Sequence, residues 1–142
     1  MGNITGLGYQ GLTIDQYTQQ LLERNTQTVV DVRLTPISRK PGLSKTKLRN
    51  HLEKHGINYI HLRELGNPKE NREGFWDAPG TGPHVRCVNR FRDIITSDPE
   101  KMRVLQEVTR LAENGNVVLL CYEEEQVNCH RNVLLEIISK QC

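Results

Sequence analysis

Short β-like runs alternate with longer helical ones along the chain, the pattern of α/β construction. Residues 3–7 are apolar enough for a first strand, and Gly8-Tyr9-Gln10-Gly11 supplies a turn. Thr13 followed by Gln16 forms a capping box, after which Ile14, Tyr17, Leu21 and Leu22 recur at helical spacing. The β-branched run at 28–32 predicts a second strand. Pro36 and Pro41-Gly42 make residues 34–43 a loop. A helix over about 44–55, anchored by Leu48 and Leu52 and ended by Gly56, leads to a period-two strand at 57–62. Residues 66–83, rich in glycine and proline, carry no secondary-structure signature, as lids and binding loops often do not.

The second half repeats the alternation. A short helix is predicted over 88–96. A stronger one opens at Asp98-Pro99, with Asp as N-cap and Pro in the first turn, and carries Met102, Leu105, Val108, Leu111 and Ala112 on its apolar face. Val117-Val118-Leu119-Leu120-Cys121 has no polar member before its end, which suits a central parallel strand covered on both faces. A last helix from about 128 turns Val133, Leu134, Ile137 and Ile138 inward. Four strands joined by crossover helices predict a three-layer, Rossmann-like sandwich with a mainly parallel sheet. At 142 residues this is a single domain spanning 1–142.

Parallel sheets bind ligands beyond the C-terminal ends of their strands. That rule collects Asp31 and Arg33, then His61 and Arg63, then Cys121 and Glu123, and finally Cys129, His130 and Arg131 on one expected rim. Cys121 is a candidate nucleophile, with His130 as base or acid and Glu123 beside it; the alternative is a small buried hydrophobe. Asp31 interrupts an apolar strand and needs a partner such as Arg33 or Arg131, whether as a latch or as a ligand group. Cys121, Cys129 and His130 invite comparison with a zinc site, but no Cys-x2–4-Cys pair exists, and no metal set is assigned. Gly6-x-Gly8-x-x-Gly11, with Asp31 20 residues beyond, imitates a dinucleotide fingerprint, but the helix begins only after the third glycine. No cofactor follows from it.

Charge adds one feature. Residues 33–86 hold eleven Lys/Arg against five Asp/Glu, and four of the five histidines. A positive face for phosphate-bearing partners is one reading and a solvated surface the other. Phe75-Trp76 is either a lid that stacks on a base or the anchor of its own loop. No apolar run approaches the ~18 residues of a membrane span, the start has no secretory pattern, and the cysteines are sparse. These features predict a cytoplasmic protein with reduced thiols and no membrane partner.

The string Thr5-Gly6-Leu7-Gly8-Tyr9-Gln10-Gly11, the motifs Val30-Asp31-Val32-Arg33, Pro36 and Ser38, Tyr59 and His61, Leu65-Gly66, Cys121-x-Glu123 and Cys129-His130-Arg131 resemble domain of unknown function 488 over nearly the whole chain. The resemblance implies a small α/β protein without an established general activity. Two departures stand out: an extra acidic pair, Glu124-Glu125, and a chain that stops one helix after Cys-His-Arg, which would leave a sheet edge for another segment or a homodimer partner. A likeness to rhodanese and low-molecular-weight phosphatase sites fails on spacing, because Cys121 and Arg131 are ten residues apart, too far for a Cys-x5-Arg cradle. The leading expectation is a phosphate-bearing ligand, a nucleotide or nucleic acid, bound by Arg33, Arg131 and Arg63 with Asp31, Ser38, His61 and Cys129 around it. The alternatives are a cysteine-dependent enzyme using Cys121 and a non-catalytic scaffold or partner-binding module.

Overall fold

The apolar run at 117–120 has no polar member because its strand lies inside a sheet covered on both faces. The structure, a computed structural model, describes residues 2–125 and 128–141. In it β4 (Asn116–Cys121) sits between β1 (Ile4–Gly8) and β2 (Thr26–Asp31), and β3 (Asn58–His61) lies beyond β2. Every pairing in the order β1-β4-β2-β3 is parallel.

Side chains alternate across the sheet with the period of two that strands impose. Val29, Val118 and Leu120 point to one face and pack on Tyr17 and Leu21 of α1 (Ile14–Glu23) and Leu48 and Leu52 of α2 (Lys45–Lys54). Val30, Val32, Val117, Leu119 and Cys121 belong to the cluster on the other face. There α3 (Gly82–Thr96), α4 (Pro99–Leu111) and α5 (Arg131–Gln141) contribute Phe91, Ile95, Leu105, Val108 and Leu134. The result is the Rossmann-like three-layer sandwich expected from the pattern. Among the described residues no helix is long and apolar enough to cross a membrane.

Local signals explain most boundaries. The Thr13 hydroxyl accepts from the Gln16 amide at 3.1 Å, and the Gln16 side chain accepts from the Thr13 amide at 2.9 Å. Asp98 caps α4 through the Glu100 amide at 2.9 Å. Two expectations need correction. Leu22 is 40% exposed, and Thr18 takes the inward place, because α1 turns its Tyr17–Thr18–Leu21 side to the sheet. Helix α3 starts at Gly82, six residues before the predicted 88, since Pro83 sits in a first turn where its missing N–H costs nothing.

The 66–83 segment is built of short 3-10 turns rather than open loop. Asn67 and Asn71 are buried and exchange hydrogen bonds: Asn71 Nδ2 donates to Asn67 Oδ1 at 3.0 Å, and Asn67 Nδ2 to the Asn71 carbonyl at 3.1 Å. Phe75, 2% exposed, meets Phe91 edge-on at 6.5 Å. It anchors the segment, whereas Trp76 beside it remains 59% exposed.

Candidate functional site

The register levels the strand ends: Gly8 lies opposite Cys121, and Asp31 opposite both Leu120 and His61. Asp31 is fully buried and its carboxylate is saturated. Oδ1 accepts from the Arg33 amide at 3.1 Å and from Arg33 Nε at 2.9 Å; Oδ2 accepts from Arg33 Nη2 at 2.7 Å and from the Tyr59 hydroxyl. Arg33 Nη1 turns the other way, to the Leu43 carbonyl at 2.7 Å and the Tyr9 hydroxyl at 3.3 Å. Burial disfavours the guanidinium charge, but bonding to Asp31 more than offsets it and raises the Arg33 pKa. Burial, with the Asp31 charge adding to it, raises that of Tyr59. Both faces of Asp31 and both edges of Arg33 are thus committed to this latch, and the bidentate ligand contact expected of Arg33 is not available.

The chain leaving β2 is gripped from two sides. His61 Nε2 donates to the Arg33 carbonyl at 2.7 Å, and His130 Nε2 donates to the Val32 carbonyl at 2.8 Å. His130 is half-buried against the edge of Phe91, with ring centroids 5.2 Å apart. Desolvation lowers its pKa to about 4, and the nearby Arg72 and Arg131 charges act in the same direction. Its Nδ1 lies 3.6 Å from Cys129 Sγ.

Arg131 opens α5 and is 1% exposed. Its Nη1 donates to Cys121 Sγ at 2.7 Å and to the Glu123 carbonyl at 2.8 Å, and its Nη2 to the Glu124 carbonyl at 3.2 Å. Burial lowers its pKa. The chain after β4 is thereby drawn down onto β1, where a Cβ on Gly8 would come 1.7 Å from the Glu123 carbonyl oxygen. Gly8 is glycine for that approach, and Gly11 takes a positive φ of 78° in the turn before α1. The same bend brings Cys129 over Cys121, and the two form a disulfide. The expectation of four reduced thiols is corrected on this pair; Cys87 is a free thiol, and Cys142 lies outside the described residues.

Between these latches a cavity of about 260 Å³ opens at the rim. Arg33, Cys121, Glu123 and His130 line it, together with residues that sequence reasoning missed: Tyr9, Asn67, Arg72, Tyr122 and Asn128. Asp31 and Arg131 lie beneath this surface rather than on it. His61 acts through the Arg33 carbonyl, while Ser38 accepts from the Lys40 amide at 3.1 Å and shapes the 38–44 loop. Arg63 is exposed in a 3-10 turn away from the lining. Trp76 closes one wall, its Nε1 donating to Glu123 Oε1 at 3.3 Å. Cys121, Glu123 and Cys129 bring their ligand atoms within 4.8 Å of one another, so Glu123, not His130, joins the two sulfurs.

The family model for a domain of unknown function, DUF488, matches residues 13–138. The chain belongs to the DUF488 family. Comparison with curated proteins finds no match. In this DUF488 domain the residues that carry the resemblance are mostly the latches themselves: Asp31, Arg33, Tyr59, His61, Cys121, His130 and Arg131. Gly66 is another close approach, since a Cβ there would come 2.6 Å from Leu34 Cα.

Two outcomes follow for the latches. Asp31→Asn leaves the buried Arg33 charge without its carboxylate and is expected to cost about 3–5 kcal/mol in urea unfolding; a loss below ~1 kcal/mol would contradict the latch. His130 is neutral in the fold down to about pH 4, whereas in the unfolded chain it takes the ordinary histidine value of 6.5. As pH falls through that window the unfolded chain binds a proton that the native one does not, so stability drops, by about 3 kcal/mol at most. His130→Gln should flatten the wild-type stability profile between those pH values, and an unchanged slope would assign the acid sensitivity elsewhere.

Proposed function

We propose that the rim cavity binds a phosphate-bearing ligand of mononucleotide size, held by Arg72. The observation that carries this reading is the state of the arginines. Arg33 is paired with Asp31, and Arg131 is spent on sulfur and backbone carbonyls. Arg72 lines the cavity with only its Nε engaged, to the Asn67 carbonyl at 3.2 Å, leaving its Nη groups without a protein partner among the described residues. A guanidinium edge suits a phosphate. Trp76 and Tyr122, both exposed, offer aromatic surface for a base nearby, and the basic excess of residues 33–86 raises the local concentration of anions. Thermal-shift titration with nucleoside monophosphates should show stabilisation of the wild type. Arg72→Gln should weaken binding about tenfold or more, with only the small fall in ligand-free melting temperature that loss of the Nε bond to Asn67 brings. No stabilisation of the wild type, or equal affinity in the variant, overturns the reading.

A second reading has its own observation: the Arg131 guanidinium lies 2.7 Å from Cys121 Sγ, at the edge of the cavity. In the reduced chain that charge favours the thiolate, the nucleophilic form. Iodoacetamide should then label Cys121 with an apparent pKa below the ~8.5 of a free thiol. Labelling no faster than that of Cys87 throughout neutral pH removes this reading.

A further inference from the structure

We propose that, with its thiols reduced, the protein binds one thiophilic divalent cation, zinc by chemistry, between the Cys121 and Cys129 sulfurs and the Glu123 carboxylate. The three ligand atoms lie within 4.8 Å of one another. A zinc ion takes bonds of about 2.3 Å to sulfur and about 2.0–2.2 Å to oxygen, so the two sulfurs, once reduced, have to move apart to flank it. The Cα atoms of the two cysteines are 7.4 Å apart, which leaves room for the sulfurs to separate around an ion.

Three elements deliver the ligands, and one side chain sets their positions. Cys121 ends β4, Glu123 lies in the bend, and Cys129 precedes α5. Arg131 binds the Cys121 sulfur and the carbonyls of residues 123 and 124, so it fixes two of the ligand-bearing residues directly. An N–H donor to a ligand sulfur is the outer support that metal thiolates ordinarily have. The charges also balance: two thiolates and a carboxylate, offset by one guanidinium, call for a divalent cation. Thiolates select zinc over magnesium or calcium.

His130 stands outside the set whose ligand atoms all lie within 4.8 Å of one another; its Nε2–H is held by the Val32 carbonyl and its Nδ1 lies 3.6 Å from Cys129 Sγ, so it borders the site on the Cys129 side. The protein therefore offers three ligands, and Cys121 and Glu123 both face the rim cavity. Three protein ligands with a fourth position toward a cavity is the arrangement of zinc sites that admit water or substrate.

Disulfide and metal are alternative states of the same pair. A dithiol reductant supplies two electrons and two protons, becomes its own disulfide and leaves two thiols; the cation then displaces the two thiol protons.

The test is titration of the full chain with Co2+ under anaerobic conditions, before and after reduction, followed by displacement with Zn2+. The reduced protein should bind one equivalent, with a thiolate-to-cobalt charge-transfer band that zinc abolishes, and the oxidised protein should show no such band. Cys121→Ser should lose at least half of the band's intensity, and Cys121→Ser/Cys129→Ser all of it. Glu123→Gln, a change at a half-buried bend, should keep it while weakening affinity at least tenfold. No band in the reduced wild type, a band unchanged in Cys121→Ser, or full affinity in Glu123→Gln overturns the proposal. Arg72→Gln should leave cobalt binding unaltered, which separates this result from the fate of the phosphate reading.

Discussion

A guanidinium at 1% exposure, with no carboxylate paired to it among the described residues, is the constraint around which this rim is arranged. Removing Arg131 from water is costly, and acceptors for its N–H groups offset that cost. Its Nη groups find a sulfur and two successive backbone carbonyls, while its buried Nε has no partner among the described residues. Those carbonyls belong to the bend that leaves the central strand, so satisfying the charge also decides where Glu123 faces and where the chain re-enters as α5. Gly8 accepts the bend because it has no Cβ to collide with the Glu123 carbonyl.

The chain leaving β2 is held by the same principle with different chemistry. Two imidazoles take the consecutive carbonyls of Val32 and Arg33, one from β3 and one from the turn before α5. The Asp31 carboxylate, meanwhile, closes on the side chain two residues along. Strand ends expose backbone groups that no neighbouring strand can pair. Here the carbonyls of Leu120, Cys121, Tyr122 and Asp31 are met by backbone N–H groups, and those of Val32, Arg33, Glu123 and Glu124 by His130, His61 and Arg131.

That division of labour separates structural cations from available ones. Arg33 and Arg131 are consumed in holding the walls, and Arg72, from a segment of short turns, is left facing the cavity. Cys121, disulfide-bonded to Cys129, and the Glu123 carboxylate line the same cavity. The pocket thus presents a guanidinium together with sulfur and a carboxylate.

Periodicity alone was enough for the sandwich: the apolar run of β4, the capping box of α1 and the Asp98-Pro99 start of α4 are local signals, and the structure uses each of them. Asp31, interrupting an apolar strand, likewise announced a buried charge in need of a partner. What the chain could not announce was which arginine is left over, because that depends on which carbonyls and carboxylates lie within 3 Å of each after folding. Arg72 sits among glycines and prolines with no signal of its own. The substitution of Glu123 for His130 beside the two sulfurs arises from a bend whose path is set by contacts across the sheet. Local sequence determines which elements form and which face they bury, since those preferences act over a few residues. Only the tertiary structure decides how a limited number of buried donors and acceptors are shared, since that choice is made between residues as much as a hundred positions apart.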